Sequence, residues 1–195
     1  MLEKITVSLQ AYYDTVIGAK SILENALVQV RENYKGALLA EKTKEVQDVY
    51  NQTLEESRTA NYNACLEVLN GVEGTVQEIM KVPVPADFTA TLEALKQIKD
   101  PSKVELETAI GAYRNNYYAY RAICDYLKVV KPITVDDILE GVSNIRTNIH
   151  SCFYTDNVDG YHFLNWKDGT LIPSFDEQFT AFCEGRFEDA DGSEL

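Results

Sequence analysis

Residues 2–30 read LEKITVSLQAYYDTVIGAKSILENALVQV, and their apolar positions recur every three or four residues. This is the a/d spacing of a heptad repeat, which places one narrow apolar stripe along a helix and requires a partner helix to cover it. The partner helix can belong to the same chain or to another copy. We predict a self-association seam on this helix, formed by Leu2, Ile5, Leu9, Tyr12, Val16, Leu23 and Val30.

Helical spacing resumes after a polar stretch at residues 41–48. Apolar residues recur from Val46 to Ile79, and no proline occurs before Pro83. Because proline interrupts helices more strongly than any other residue, we expect one or two very long helices in this region. The polar stretch is then either an exposed part of a helix or the site of a bend near Gly36. Residues 1–82 are predicted to form a long, coiled-coil-like helical segment.

A second segment, residues 83–152, is predicted to contribute further helices to a bundle. Val82-Pro83-Val84-Pro85 favours an extended linker, because proline disfavours helix in itself and in the residue before it. Helices are predicted over residues 90–99, 103–130 and 135–152. Ser102 with Glu105 forms a capping-box pattern, and Thr134 with Asp137 resembles another helix N-terminus.

The third segment, residues 153–195, is an aromatic and acidic appendage with nine aromatic residues. Alternation over residues 161–166 and the Asp168-Gly169 turn signal predict a small β-hairpin that ends with residues 170–172. Ser174 with Glu177 predicts the start of a final short helix that ends near Phe182. An isolated hairpin is marginally stable in water, so we expect a candidate partner surface formed by Tyr161, Phe163, Trp166, Phe175 and Phe179.

These patterns define a mainly α fold class. We predict a long-helix bundle or helical hairpin with a small, aromatic-rich C-terminal element that contains the β-hairpin.

The formal net charge is −13, and residues 132–195 alone contribute −10 from thirteen acids and three bases. This charge disfavours direct binding to nucleic acid, whose phosphates attract Lys and Arg, and favours solubility or a basic partner. No stretch reaches the roughly 18 apolar residues of a membrane span. The first residues do not resemble a signal peptide, and the four cysteines form no CxxC pair. We therefore expect a cytoplasmic protein with reduced thiols and no membrane association.

Four residues in the last third of the chain are of the types that bind zinc, but their spacing matches no short zinc motif. His150, Cys152, His162 and Cys183 could also supply a Cys–His nucleophile pair. No strained turn or glycine-rich loop accompanies them, so we favour core or hairpin roles. We predict no catalytic residue, no metal ligand and no cofactor.

An aromatic stripe lies in residues 81–131, the only region with a clearly positive net charge. Together with Arg114 and Arg121, it could stack on single-stranded nucleic acid. Rings on one helical face are nevertheless typical of a protein core. We therefore predict that the core includes Tyr113, Tyr117, Tyr120 and Cys124.

Two stretches carry a resemblance to a known group of proteins. One is Glu32-Asn33-Tyr34-Lys35-Gly36, which leads into a Glu/Lys-rich helix, and the other is AYRNNYYAYRAI at residues 112–123. They resemble small uncharacterised helical proteins of phages and prophages of Gram-positive bacteria, often encoded among virion-assembly genes. The resemblance implies a role in head or tail assembly. It also implies other virion or assembly proteins as partners, and a location in the host cytoplasm or the virion.

Three functional hypotheses remain open at this point. The preferred one is a non-enzymatic structural or assembly protein of phage type that forms homo-oligomers through its helices, because the heptad seam is present and site chemistry is not. The second is an acidic inhibitor or adaptor, including a nucleic-acid mimic, that binds a basic protein. The third is an enzyme or ligand carrier that uses His150, Cys152 and His162 near the hairpin.

Overall fold

The computed structural model describes residues 2–99, 101–128, 130–154, 171–185 and 187–189, and they are mainly helical, as predicted. The described elements are α1 (Glu3–Asn33), α2 (Gly36–Lys81), α3 (Phe88–Gln97), α4 (Lys103–Tyr113), α5 (Tyr117–Leu127), β1 (Val130–Pro132), α6 (Val135–Tyr154), α7 (Leu171–Glu184) and β2 (Phe187–Asp189). The two short strands pair antiparallel, with Val130 opposite Asp189.

The chain divides into two compact units. Unit 1 comprises the described residues of Met1–Leu69 and Ile145–Ile172, and unit 2 those of Asn70–Asn144 and Pro173–Leu195. Helices α2, α6 and α7 therefore each contribute residues to both units. The organisation into segments 1–82, 83–152 and 153–195 stays a prediction.

Two very long helices, α1 and α2, occupy the first 81 residues, as expected. The break between them is two residues long, and Tyr34 N–H donates to the Val30 carbonyl at 3.0 Å to end α1. Gly36 then has a φ of +62°, a left-handed conformation that glycine adopts without the steric cost that a Cβ imposes. Both alternatives are present in the structure, because the chain bends at Gly36 and the polar stretch at residues 41–48 is an exposed or half-buried part of α2.

The core of unit 1 forms where the first turns of α1, residues 62–69 of α2 and the last turns of α6 meet. Phe153 of α6 is buried, and its ring lies 4.8 Å from that of Tyr12 and 5.7 Å from that of Tyr62, between centroids. The remaining buried apolar side chains of this core are Leu2, Ile5, Leu9, Cys65, Leu69, Ile145 and Ile149.

The core of unit 2 contains the predicted aromatic stripe. Tyr113, Tyr117, Tyr120 and Cys124 are all buried, which confirms their assignment to the core. The phenol of Tyr117 accepts from the Val135 amide at 3.2 Å and from Arg121 at 2.9 Å. The predicted helix starts are also confirmed, because Ser102 with Glu105 forms a capping box and the Thr134 hydroxyl accepts from the Asp137 amide.

The predicted continuous helix over residues 103–130 is wrong, because the chain breaks at residues 114–116 between α4 and α5. Asn116 explains the break. Its side chain is only 4% exposed, accepts from the Ala119 amide at 3.0 Å as the cap of α5, and donates to the carbonyls of Val82 and Pro83 at 3.1 and 2.8 Å. A buried amide with three hydrogen bonds outweighs the local preference for a continuous helix.

The predicted β-hairpin is not supported. Residues 161–170 lie outside the described residues, and Leu171 and Ile172, predicted to end the hairpin, begin helix α7. The expected cap at Ser174 is also wrong, since α7 starts three residues earlier. Pro173 falls in the first turn of α7, where the missing N–H has no helical partner to lose.

Helices α6 and α7 pack closely in unit 2, and glycine substitutions test this contact. A Cβ added at Gly141 would overlap the buried ring of Phe175, whereas a Cβ at Gly111, within α4, would meet no atom within 4 Å. We predict that Gly141→Ala lowers the free energy of unfolding by about 1–3 kcal/mol through overpacking. The matched control Gly111→Ala should raise it by about 0.5–1 kcal/mol. Urea unfolding measures both, and a stabilising Gly141→Ala would contradict this packing.

The Asn116 hydrogen bonds generate a second prediction. Asn116→Ala removes a helix cap and leaves the Val82 and Pro83 carbonyls without these donors. We expect a loss of about 2–3 kcal/mol in the free energy of unfolding. The exposed Asn33, whose amide donates to the Gln29 carbonyl within the same helix α1, provides the control. Equal effects of Asn33→Ala and Asn116→Ala in thermal unfolding would refute the role of Asn116.

Candidate self-association surface

The last turn of α6 contacts the α1–α2 hairpin near Tyr12 and Tyr62. The ring of Phe153 in α6 contacts those of Tyr12 in α1 and Tyr62 in α2, and the Arg58 guanidinium lies 5.5 Å from the centroid of the Tyr154 ring. Toward the turn at residues 34–35, burial falls sharply. None of residues 36–64 is buried, and beyond Leu9 helix α1 buries only Ala19 and Val30.

An apolar groove of about 320 Å³ lies along this thinly covered part of the hairpin. We call it the hairpin groove. Ile22 and Val49 on its rim are 71% and 65% exposed. Single exposed apolar residues are ordinary on protein surfaces, but a contiguous group marks a candidate interaction site. Its lining consists of Ala19, Ile22, Leu23 and Ala26 from α1, and Glu45, Val46, Val49, Tyr50 and Thr53 from α2.

Charge around the hairpin groove is balanced. Residues 19–54 carry five acids and five bases, so they contribute nothing to the net charge of −13. Glu45, the acid in the lining, accepts from the Lys42 ammonium at 2.8 Å. That hydrogen bond is the main reason why the pKa of Lys42 is raised above its ordinary value. The surface pair adds little stability, but it leaves the groove without an unpaired carboxylate.

The predicted seam residues have two different environments. Leu2, Ile5 and Leu9 are buried within the chain, and the Cys65 thiol lies 3.9 Å from the Ile5 carbonyl oxygen. Further along, Tyr12, Val16 and Leu23 are half-buried, whereas Val30 is buried. Only Leu23 among the seam residues lines the hairpin groove. The first part of the seam is therefore buried against other helices of the same chain.

Ile22 and Val49 were missed by the heptad analysis because they lie beside the a/d stripe. Residues at positions flanking such a stripe widen it into a broader apolar face. Ile22 directly precedes Leu23, and Val49 directly precedes Tyr50, both of which line the groove. The doubled apolar pairs at these two points are the sequence signal that could have identified the wider face.

The candidate partner surface in the C-terminal segment is only partly described. Phe175 and Phe179 lie on α7, and both are buried within unit 2. Their rings are stacked, with centroids 6.2 Å apart. Tyr161, Phe163 and Trp166 lie outside the described residues.

The structure describes three of the four candidate zinc or nucleophile residues. His150 is exposed and its ring stacks on that of Tyr154, with centroids 4.7 Å apart. Burial raises the pKa of the Cys152 thiol to about 11, which opposes the thiolate that a nucleophile needs. Cys183 belongs to unit 2, and His162 is outside the described residues. Among the residues that the structure describes, no group of three His, Cys, Asp or Glu side chains is placed to hold a metal ion.

Comparisons with other proteins supply no functional assignment. No family model, no curated protein and no solved structure matches this chain. Within the described part of the chain, no helix is long and apolar enough to cross a membrane. Function is therefore inferred from the surface of the molecule itself.

Cysteine reactivity tests these environments. Cys65 and Cys124 are fully buried, and burial raises their pKa values to about 12 and about 11, whereas Cys183 is exposed. Since only the thiolate reacts, we predict that iodoacetamide at mildly alkaline pH labels Cys183 first and Cys152 later. Cys65 and Cys124 should react only after unfolding. Peptide mass spectrometry measures the order, and native labelling of Cys65 as fast as Cys183 would contradict the buried core.

Proposed function

We propose that the protein is a non-enzymatic association protein that assembles with further copies of itself through the helices of unit 1. The observation that carries this proposal is the hairpin groove, an apolar surface formed by two long helices within residues 19–54, whose acids and bases balance. Ile22 and Val49 on its rim are exposed apolar side chains, and the removal of apolar surface from water drives protein association.

The biological setting that we propose is assembly of a phage-type structure, as the sequence resemblance implies. Partners in that setting are other copies of the chain and other virion or assembly proteins. A structural role agrees with the protonated, largely buried thiols at Cys65, Cys124 and Cys152, which offer no ready nucleophile. It also agrees with an excess of acids over bases, which disfavours direct contact with nucleic acid.

A second candidate function is an acidic adaptor or inhibitor that binds a basic protein. The net charge of −10 in residues 132–195 favours it. In the described part of this region, α6 begins with Asp136 and Asp137 in its first turn. Association through these charges would be strengthened at low ionic strength and screened by salt.

Mass in solution separates the two candidates. We predict that light scattering after size exclusion gives a defined multiple of 22.0 kDa. The multiple should be unchanged between about 0.1 M and about 1 M salt, although the Debye length falls from about 10 to about 3 Å. Apolar association does not weaken with salt as ion pairing does.

A monomer at every concentration would refute self-association. An oligomer that dissociates at high salt would refute association through an apolar surface and favour the acidic regions instead.

A further inference from the structure

We infer that the hairpin groove is the docking site for the α1–α2 hairpin of a second copy, so that four helices, two from each copy, enclose a shared apolar core. This inference rests on the proposed function, since it names the surface through which copies associate. The occupant is another molecule of the same chain, and the reasons are its helical pattern, its exposed rim and its charge.

The described residues cover the apolar stripe of α1 only in part, since Ala19 and Val30 are buried whereas Leu23 and Ala26 are half-buried. The a/d spacing continues through Ala19, Leu23, Ala26 and Val30, well past Tyr12, where α1 meets Phe153 of α6. A two-helix hairpin cannot enclose its own apolar stripe, and helix pairs normally bury it by packing into bundles. Two hairpins related by a two-fold axis complete such a bundle.

The sizes of the lining side chains suit packing against Ile22 and Val49 of a second molecule. Ala19 and Ala26 are small residues at stripe positions, and they line the groove of about 320 Å³. Ile22 and Val49 are larger, line the same groove and are mostly exposed. Alternation of large and small side chains across facing helices gives interdigitated packing. The partner's Ile22 and Val49 are thus placed to fill the space beside Ala19 and Ala26.

Charge favours a second copy over a different partner. A two-fold axis places each surface patch against itself, so a patch of one sign repels its own copy. The chain carries −13, yet residues 19–54 are neutral, with acids and bases interspersed. Two acidic molecules can meet at this stretch without net repulsion. A basic partner would gain more from residues 132–195, which carry −10, than from this neutral stretch.

Substitutions at the exposed rim test the inference with little risk to the fold. Ile22→Asp and Val49→Asp, singly and together, would bury a carboxylate in the proposed interface. Val7→Asp is the matched control, because Val7 lies on the same helix α1, is 61% exposed and does not line the groove. Ile22→Leu conserves volume and should preserve the oligomer. Circular dichroism checks that helicity is unchanged in every variant.

We expect sedimentation equilibrium to show at least about tenfold weaker self-association for Ile22→Asp and Val49→Asp, equivalent to about 1.4 kcal/mol. Val7→Asp and Ile22→Leu should associate like the wild type. If all variants form the wild-type oligomer, the hairpin groove is not the interface, and the proposed self-association stands without it.

Two other results would overturn the inference. A monomeric wild type would refute the proposed function and this interface together. A monomer in which Ile22→Asp and Val49→Asp lower the Tm much more than Val7→Asp would show that the chain's own residues cover the groove.

Discussion

The contact of Phe153 with Tyr12 and Tyr62 is the interaction on which unit 1 depends. It brings the last turn of α6 against both long helices and supplies the third side that a two-helix hairpin needs to bury an apolar stripe. Close to this contact, Leu9 and Cys65 are buried. Further along the hairpin burial falls, and the hairpin groove lies there. The same stripe thus serves the chain's own core at one end and offers an apolar surface at the other.

The parts of the fold that could be predicted from sequence are those set by local interactions. The two long helices follow from apolar spacing and the lack of proline, and the starts at Ser102 and Thr134 follow from side chains that bond within three residues. The break before α5 could not be predicted, because Asn116 bonds to carbonyls more than thirty residues away. The start of α7 could not be predicted either. Ser174 with Glu177 indicates a helix that begins after Ser174, but Pro173 is equally compatible with the first turn of a helix that begins earlier.

The candidate surface was only partly predictable for a similar reason. Heptad spacing identifies the stripe, but it does not say which third helix covers which part of it. Leu9 and Leu23 therefore look equivalent in sequence, although one is buried and the other lines the groove. The sequence gives the net charge of each segment, but it does not show which segment forms the apolar surface. The acidic excess lies in residues 132–195, whereas the stretch of residues 19–54 that contains the proposed interface is neutral.

Chemical cross-linking of an isotopically mixed sample tests the central claim most directly. Unlabelled and heavy-isotope-labelled chains are refolded together, treated with a lysine-reactive cross-linker and analysed by mass spectrometry. Lys20, Lys42 and Lys44 lie within the neutral stretch of the hairpin. The account predicts cross-links among them that join a light chain to a heavy one. Cross-links among these lysines found only between peptides of the same isotopic mass would contradict it.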